Sequence, residues 1–121
     1  MSKVKIKCTL KSKDTTHTYE GKGVLNNNTI IYNDSGVNTK IILSDIIWLK
    51  RKKDYEITLG FSNNKSVKGT YIMKEGKMIT ETDTIFLKKE KNSIKIKYNL
   101  KINKVLVDTF ELNFKFTIDS I

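Results

Sequence analysis

Ile94-Lys95-Ile96-Lys97-Tyr98-Asn99-Leu100-Lys101-Ile102 carries an apolar side chain at every second position and a polar one between each pair. A two-residue period sends alternate side chains to opposite faces of an extended chain, so this stretch predicts a half-buried β-strand. The same rhythm extends outward in both directions. Tyr55, Ile57, Leu59 and Phe61 alternate with Glu56, Thr58 and Gly60, and Val4, Ile6, Cys8 and Leu10 alternate with Lys3, Lys5, Lys7 and Thr9. No i, i+3, i+4, i+7 pattern persists long enough for a helix, and the chain contains no proline. Turn clusters separate the runs: Asn26-Asn27-Asn28, Asp34-Ser35-Gly36, Lys52-Lys53-Asp54, Ser62-Asn63-Asn64, Glu75-Gly76, Lys88 to Ser93 and Asn103-Lys104. Strands joined by such short connections favour an up-and-down antiparallel β-barrel of roughly eight to ten strands, an all-β domain over residues 1–121.

Four segments carry more than alternation. Gly21 and Gly23, within the strand expected from Thr15 to Leu25, predict a bulge or sharp bend. From Thr39 to Arg51 the odd phase holds Thr39, Ile41, Leu43, Ile47, Leu49 and Arg51, so the lone arginine is expected to point inward, with Ser44-Asp45 breaking the run into a hairpin. Between Met78 and Leu87, the even phase is Met78, Thr80, Thr82, Thr84 and Phe86, and the odd phase contains Glu81 and Asp83. Desolvating two carboxylates costs more than desolvating three hydroxyls, so the threonine phase is expected inside. Near Asp108-Thr109 the apolar phase slips from Val105 and Val107 to Phe110, Leu112, Phe114 and Phe116, which predicts a bulge.

The 121-residue chain has a net charge of +10 and a sequence pI near 9.6. Such basicity invites a polyanion reading. Yet Arg51 is the single arginine among 23 basic residues, and the abundance of lysine, isoleucine and asparagine fits AT-rich coding. The stretch from Met1 to Lys13 has lysine at every second or third position and no run fit for a signal peptide or membrane span, so a cytoplasmic location is expected. One cysteine, Cys8, lies on an apolar phase, which excludes an internal disulfide and predicts a buried thiol. One histidine, His17, lies among threonines and is expected at a solvated strand surface. With no second histidine, cysteine pair, nucleophile elbow or glycine-rich phosphate loop, the expectation is no enzyme, no metal and no cofactor.

Two constellations remain as binding candidates. Arg51, Tyr71, Thr80, Thr82, Thr84 and Tyr98 set one cation and several hydroxyls on a shared inner phase, where they would orient a small amphipathic or anionic molecule. The alternative for Arg51 is pairing with a carboxylate such as Asp34 or Asp54, with the threonines bonding across strands. The second constellation is Lys3, Lys5, Lys7, Lys95, Lys97 and Lys101, outer-face rows that barrel closure would merge into a surface for nucleic acid or another polyanion. A solvated, edge-protecting face is the other reading of those rows, because no aromatic side chain is interleaved for base stacking. Trp48, on the outer phase, is expected under a neighbouring loop or at a partner surface. Nothing in the sequence sets an oligomeric state.

The run Ile30-Ile31-Tyr32-Asn33-Asp34, then Thr39-Lys40-Ile41 through Arg51, Gly69-Thr70-Tyr71, Gly76-Lys77-Met78, Thr82, and Ile94 to Leu100 resembles the uncharacterised bacterial YwiB-like family. The resemblance covers most of the chain and rests on the order and spacing of sparse motifs. It implies a lipocalin-like, calycin-type β-barrel and no established activity. Arg51, Gly69, Tyr71, Gly76 and Thr82 are kept. Asp34 stands where members of the family carry glutamate, Lys52-Lys53-Asp54 where they carry a glycine, and Met73-Lys74-Glu75 where they carry threonine-proline, which implies altered turns.

Overall fold

A computed structural model describes residues 1–119. Ten strands follow in chain order: β1 (Ser2–Lys11), β2 (Thr16–Asn26), β3 (Thr29–Asp34), β4 (Val37–Leu43), β5 (Ile47–Lys52), β6 (Glu56–Phe61), β7 (Ser66–Met73), β8 (Gly76–Glu90), β9 (Ser93–Ile102) and β10 (Val105–Ile118). Each pairs antiparallel with its successor, and β1 pairs with β10 from Val4↔Ile118 to Lys11↔Glu111, closing the barrel. Closure gives both edge strands a partner for their backbone N–H and C=O groups. Two connections are two-residue turns in which both residues have positive φ, Ser35-Gly36 and Asn103-Lys104, a geometry whose twist matches that of the flanking strands.

The inner phase forms one continuous core. Val4 and Ile6 from β1, Ile30 from β3, Ile41 from β4, Phe61 from β6, Ile96 and Tyr98 from β9 and Phe114 from β10 are all almost completely buried. Tyr98 packs against Phe61 at 4.7 Å between ring centroids and stacks on Phe110 at 5.5 Å.

Two expected features of register take a different form. In β8, pairing with β9 shifts between Thr84 and Phe86; Phe86 and Ile85 are exposed, and Leu87 turns to the core opposite Ile96. The even phase is therefore interior only as far as Thr84, and Phe86 is corrected to the outside. In β10 the slip falls between Leu106 and Asp108, and Val105, Leu106 and Val107 are all exposed. Gly21 and Gly23 create no bulge against β1, with which β2 pairs without interruption from Ser2↔Leu25 to Lys11↔Thr16. Their lack of a side chain makes room instead. A Cβ on Gly21 would lie 2.4 Å from the Tyr19 hydroxyl, and one on Gly23 would lie 2.6 Å from Ile6 Cδ1.

The threonines of β8 hold a seam. β6 pairs with β7 only from Glu56↔Ile72 to Thr58↔Thr70. Beyond that, the Thr80 hydroxyl donates to the Thr58 carbonyl at 3.2 Å and the Thr82 hydroxyl donates to the Gly60 carbonyl. β8 thus reaches across β7 to satisfy carbonyls of β6. Gly69 permits the approach, since a Cβ there would stand 2.0 Å from the Thr58 carbonyl oxygen. On the outer face Trp48 lies across Gly60, its cross-strand partner, and is half-buried by that contact.

Removing the hydroxyl in Thr82→Val leaves the Gly60 carbonyl without its donor, and an expected loss of about 1–3 kcal/mol is measurable by urea unfolding, with Thr82→Ser retaining more stability. Lys104, held at φ 69°, predicts the opposite sign: Lys104→Gly relieves a left-handed side chain and raises stability by roughly 0.5–1 kcal/mol.

Candidate functional site

An up-and-down chain brings alternate turns to the same end of the barrel. The β1–β2, β3–β4 and β5–β6 turns share one mouth, so the last residue of β3 and the end of β5 meet there. Pairing sets Tyr32, Thr39, Arg51, Ile57, Tyr71 and Met78 side by side across β3 to β8 as one inner layer. Asp34 lies two residues beyond Tyr32 on the same phase, one step nearer the mouth.

Asp34 is the charged group of the interior, with 5% of its surface exposed. Its Oδ2 accepts a hydrogen bond from Arg51 Nη2 at 3.4 Å and lies 2.8 Å from His17 Nε2. Its Oδ1 is buried and has no partner among the described residues. A carboxylate removed from water needs a counter-charge or full hydrogen bonding. Here one oxygen has both a cation and an imidazole, and the other has neither. The Arg51 side chain is 24% exposed and that of His17 50% exposed, so Asp34 is reached from solvent past these two groups.

Aromatic rings and a thiol adjoin the carboxylate. Tyr19 stacks on Tyr32 at 4.9 Å, and Tyr32 tilts against Phe114 at 6.0 Å. Burial pushes the Cys8 thiol up to about 11, against a smaller downward pull from its hydrogen bond with Tyr32. Burial likewise raises the Tyr32 and Tyr98 phenols far above their ordinary value, with the Arg51 charge opposing it. These hydroxyls and the thiol stay protonated at neutral pH. Cys8 is thereby a packed side chain and not a nucleophile.

The six residues predicted to share a ligand all occupy the inner phase, but they divide. Arg51 stands at the mouth with Asp34. Tyr71 shares its layer two strands away and packs against Tyr55 at 5.9 Å. Tyr98 lies in the aromatic core opposite Thr84, whose hydroxyl is buried without a partner. Thr80 and Thr82 are occupied at the β6 seam. From sequence alone Asp34 reads as a turn residue and an alternative carboxylate partner for Arg51, and His17 reads as a surface residue. Their phases, even with Ile30 and Tyr32 and odd with Tyr19, Gly21 and Gly23, were the signal that both side chains belong to the inner face.

Depressions on the outer surface range from about 270 to 450 Å³. None of these five is lined by Arg51, Tyr71, Thr80, Thr82, Thr84 or Tyr98. Among the outer lysines, Lys3, Lys5 and Lys7 lie on β1 and Lys95 and Lys97 on β9, with β10 between them. Lys101 is bound to Asp83 at 3.1 Å. Among the described residues no group of three or more histidine, cysteine, aspartate or glutamate side chains is placed to hold a metal ion. Among the described residues no helix is long and apolar enough to cross a membrane.

Arg51→Met leaves Asp34 without its cation and is expected to cost roughly 1–3 kcal/mol, less than a fully buried pair because Arg51 is partly hydrated; Arg51→Met with Asp34→Leu should recover most of the loss in urea unfolding. Cys8 should resist iodoacetamide in the native protein at neutral pH and react as an ordinary thiol in concentrated urea, as read by mass spectrometry. Because its thiol is raised, its contribution to stability is full below about pH 9 and is lost as pH rises through about 11.

No match was found among curated proteins. The crystal structure of the ywiB protein from Bacillus subtilis is similar over 98% of this chain and 91% of that one, with a TM-score of 0.64 at 12% sequence identity, a likeness of fold. The family described as a domain of unknown function, DUF1934, matches residues 3–114. The ten-stranded closed barrel, the structural likeness to ywiB and a match over nearly its whole length together make this chain a member of the DUF1934 family, the YwiB-like barrels.

Proposed function

We propose that this protein is a non-enzymatic binding barrel that takes a small amphipathic or anionic molecule at the mouth beside Arg51. The observation that carries this reading is the Asp34 carboxylate, buried with Oδ1 unpartnered while Arg51 and His17 share Oδ2. A buried acceptor without a donor costs about 1–3 kcal/mol or more for a charged group. A ligand supplying an N–H or O–H would remove that penalty, and an acidic or acceptor group on the same ligand would meet the Arg51 guanidinium and the His17 ring. Aromatic side chains at the same end, Tyr19 and Tyr32 on one arc and Tyr55 and Tyr71 on another, offer contact for an apolar portion. The packed core argues for a ligand seated at the mouth and against one enclosed in the centre. The threonines stand outside this reading, Thr80 and Thr82 being held at the β6 seam and Thr84 buried opposite Tyr98 in the core.

The test is a thermal-shift screen of small carboxylates, amino acids and amphipathic metabolites, followed by calorimetry. A binder present at a hundred times its Kd stabilises by about 2.7 kcal/mol. Binding should fall at least tenfold in Arg51→Ala and in Asp34→Asn. A screen without hits, or a hit that both variants bind as tightly as the unsubstituted protein, would sink the proposal.

A further inference from the structure

Closing the barrel opposes lysines that the sequence keeps far apart. Lys5 lies directly across from Lys22, and Lys7 directly across from Lys115. On the next strands Lys95 faces Lys88. Like charges at directly opposed positions repel and destabilise a sheet. Neither of the two ion pairs that engage lysines among the described residues, Lys88 with Glu90 and Lys101 with Asp83, lies on the β1, β2 and β10 face. Glu20 stands across from Lys7 and Glu111 across from Lys11, within cross-strand reach but in no ion pair, and Lys5, Lys22 and Lys115 have no carboxylate directly opposite. The four lysines of the first two pairs line one shallow depression of about 450 Å³, in which Thr117 lies beside them and Glu20 is the single carboxylate.

We propose that this face binds the phosphate backbone of duplex nucleic acid, without reading sequence, and that the depression ringed by Lys5, Lys7, Lys22 and Lys115 is its anchor. Residues on one strand face recur every ~6.8 Å. Lys3, Lys5 and Lys7 therefore form a straight row of cations suited to a linear chain of phosphates more than to one isolated headgroup. Lysine is a compact charge with rotating donors, adapted to phosphates whose positions vary from one duplex to another, whereas base-edge recognition draws on the arginine fork. No aromatic side chain lines the depression, so it has nothing on which to stack an unpaired base. That favours a duplex, whose bases are already stacked, over a single strand. The surface is distinct from the mouth at Arg51 and does not depend on a ligand there.

Fluorescence anisotropy with a labelled mixed-sequence duplex of about 20 base pairs tests the proposal. Neutralising four phosphates predicts an affinity that falls roughly a hundredfold between 50 and 200 mM salt. Lys5→Glu with Lys115→Glu places each new carboxylate opposite a lysine, Lys22 and Lys7 respectively, so its urea midpoint should be unchanged or higher while duplex affinity falls more than tenfold and the salt slope flattens. Lys40→Glu with Lys77→Glu makes the same change in net charge on β4 and β8, and should lower affinity by less than threefold. Equal losses in the two double variants would overturn the proposal, as would no complex at 50 mM salt. It is equally overturned if a single strand of the same sequence, or vesicles rich in phosphatidylserine, bind more tightly than the duplex.

Discussion

Pairing of β1 with β10 is the contact on which every other feature depends. It joins the first strand to the last through eight consecutive residue pairs, Val4↔Ile118 to Lys11↔Glu111. Without it the chain would be an open meander with two long unpaired edges and an inner face too curved to cover itself. With it, Val4, Ile6 and Cys8 meet Phe114 and Phe116, and the core becomes continuous around the ring. The same closure brings the lysine rows of β1, β2 and β10 onto one face. It also fixes the mouth at which Asp34, Arg51 and His17 converge.

Closing ten strands around a small core requires local concessions, and the glycines and hydroxyls of this chain record where they fall. β6 and β7 separate after Thr58, and the carbonyls thereby exposed to the interior are met from β8 by Thr80 and Thr82. Gly69 gives way to let them through. A threonine stripe inside a barrel is thus a structural seam over two of its three positions. Besides the Thr84 hydroxyl, the group left chemically unfinished is at Asp34, where a carboxylate has one oxygen held by a cation and an imidazole and the other without a partner among the described residues.

Much of this was legible in the chain, because a period of two is a strong physical signal. The antiparallel meander, the inward Arg51, the buried Cys8 and the interior placement of Thr80, Thr82 and Thr84 all follow from phase and from the cost of desolvating charge. Phase fails where a bulge intervenes, and so Phe86 was assigned to the wrong face. It also fails at strand ends. Asp34 reads as a turn residue because Ser35-Gly36 follows it, yet it completes β3 and its side chain keeps the inward phase of Ile30 and Tyr32.

Alternation, the absence of proline and the short turn clusters determined by themselves an all-β meander with one buried face, since side-chain direction along a strand depends only on neighbours in sequence. The partners of each side chain depend on neighbours in space. Whether Thr82 meets a ligand or the Gly60 carbonyl, whether His17 stands alone or beside Asp34, and whether Lys5 faces solvent or Lys22 were decided by register and closure. Those are set by contacts between residues 17 or more positions apart, which no local pattern encodes.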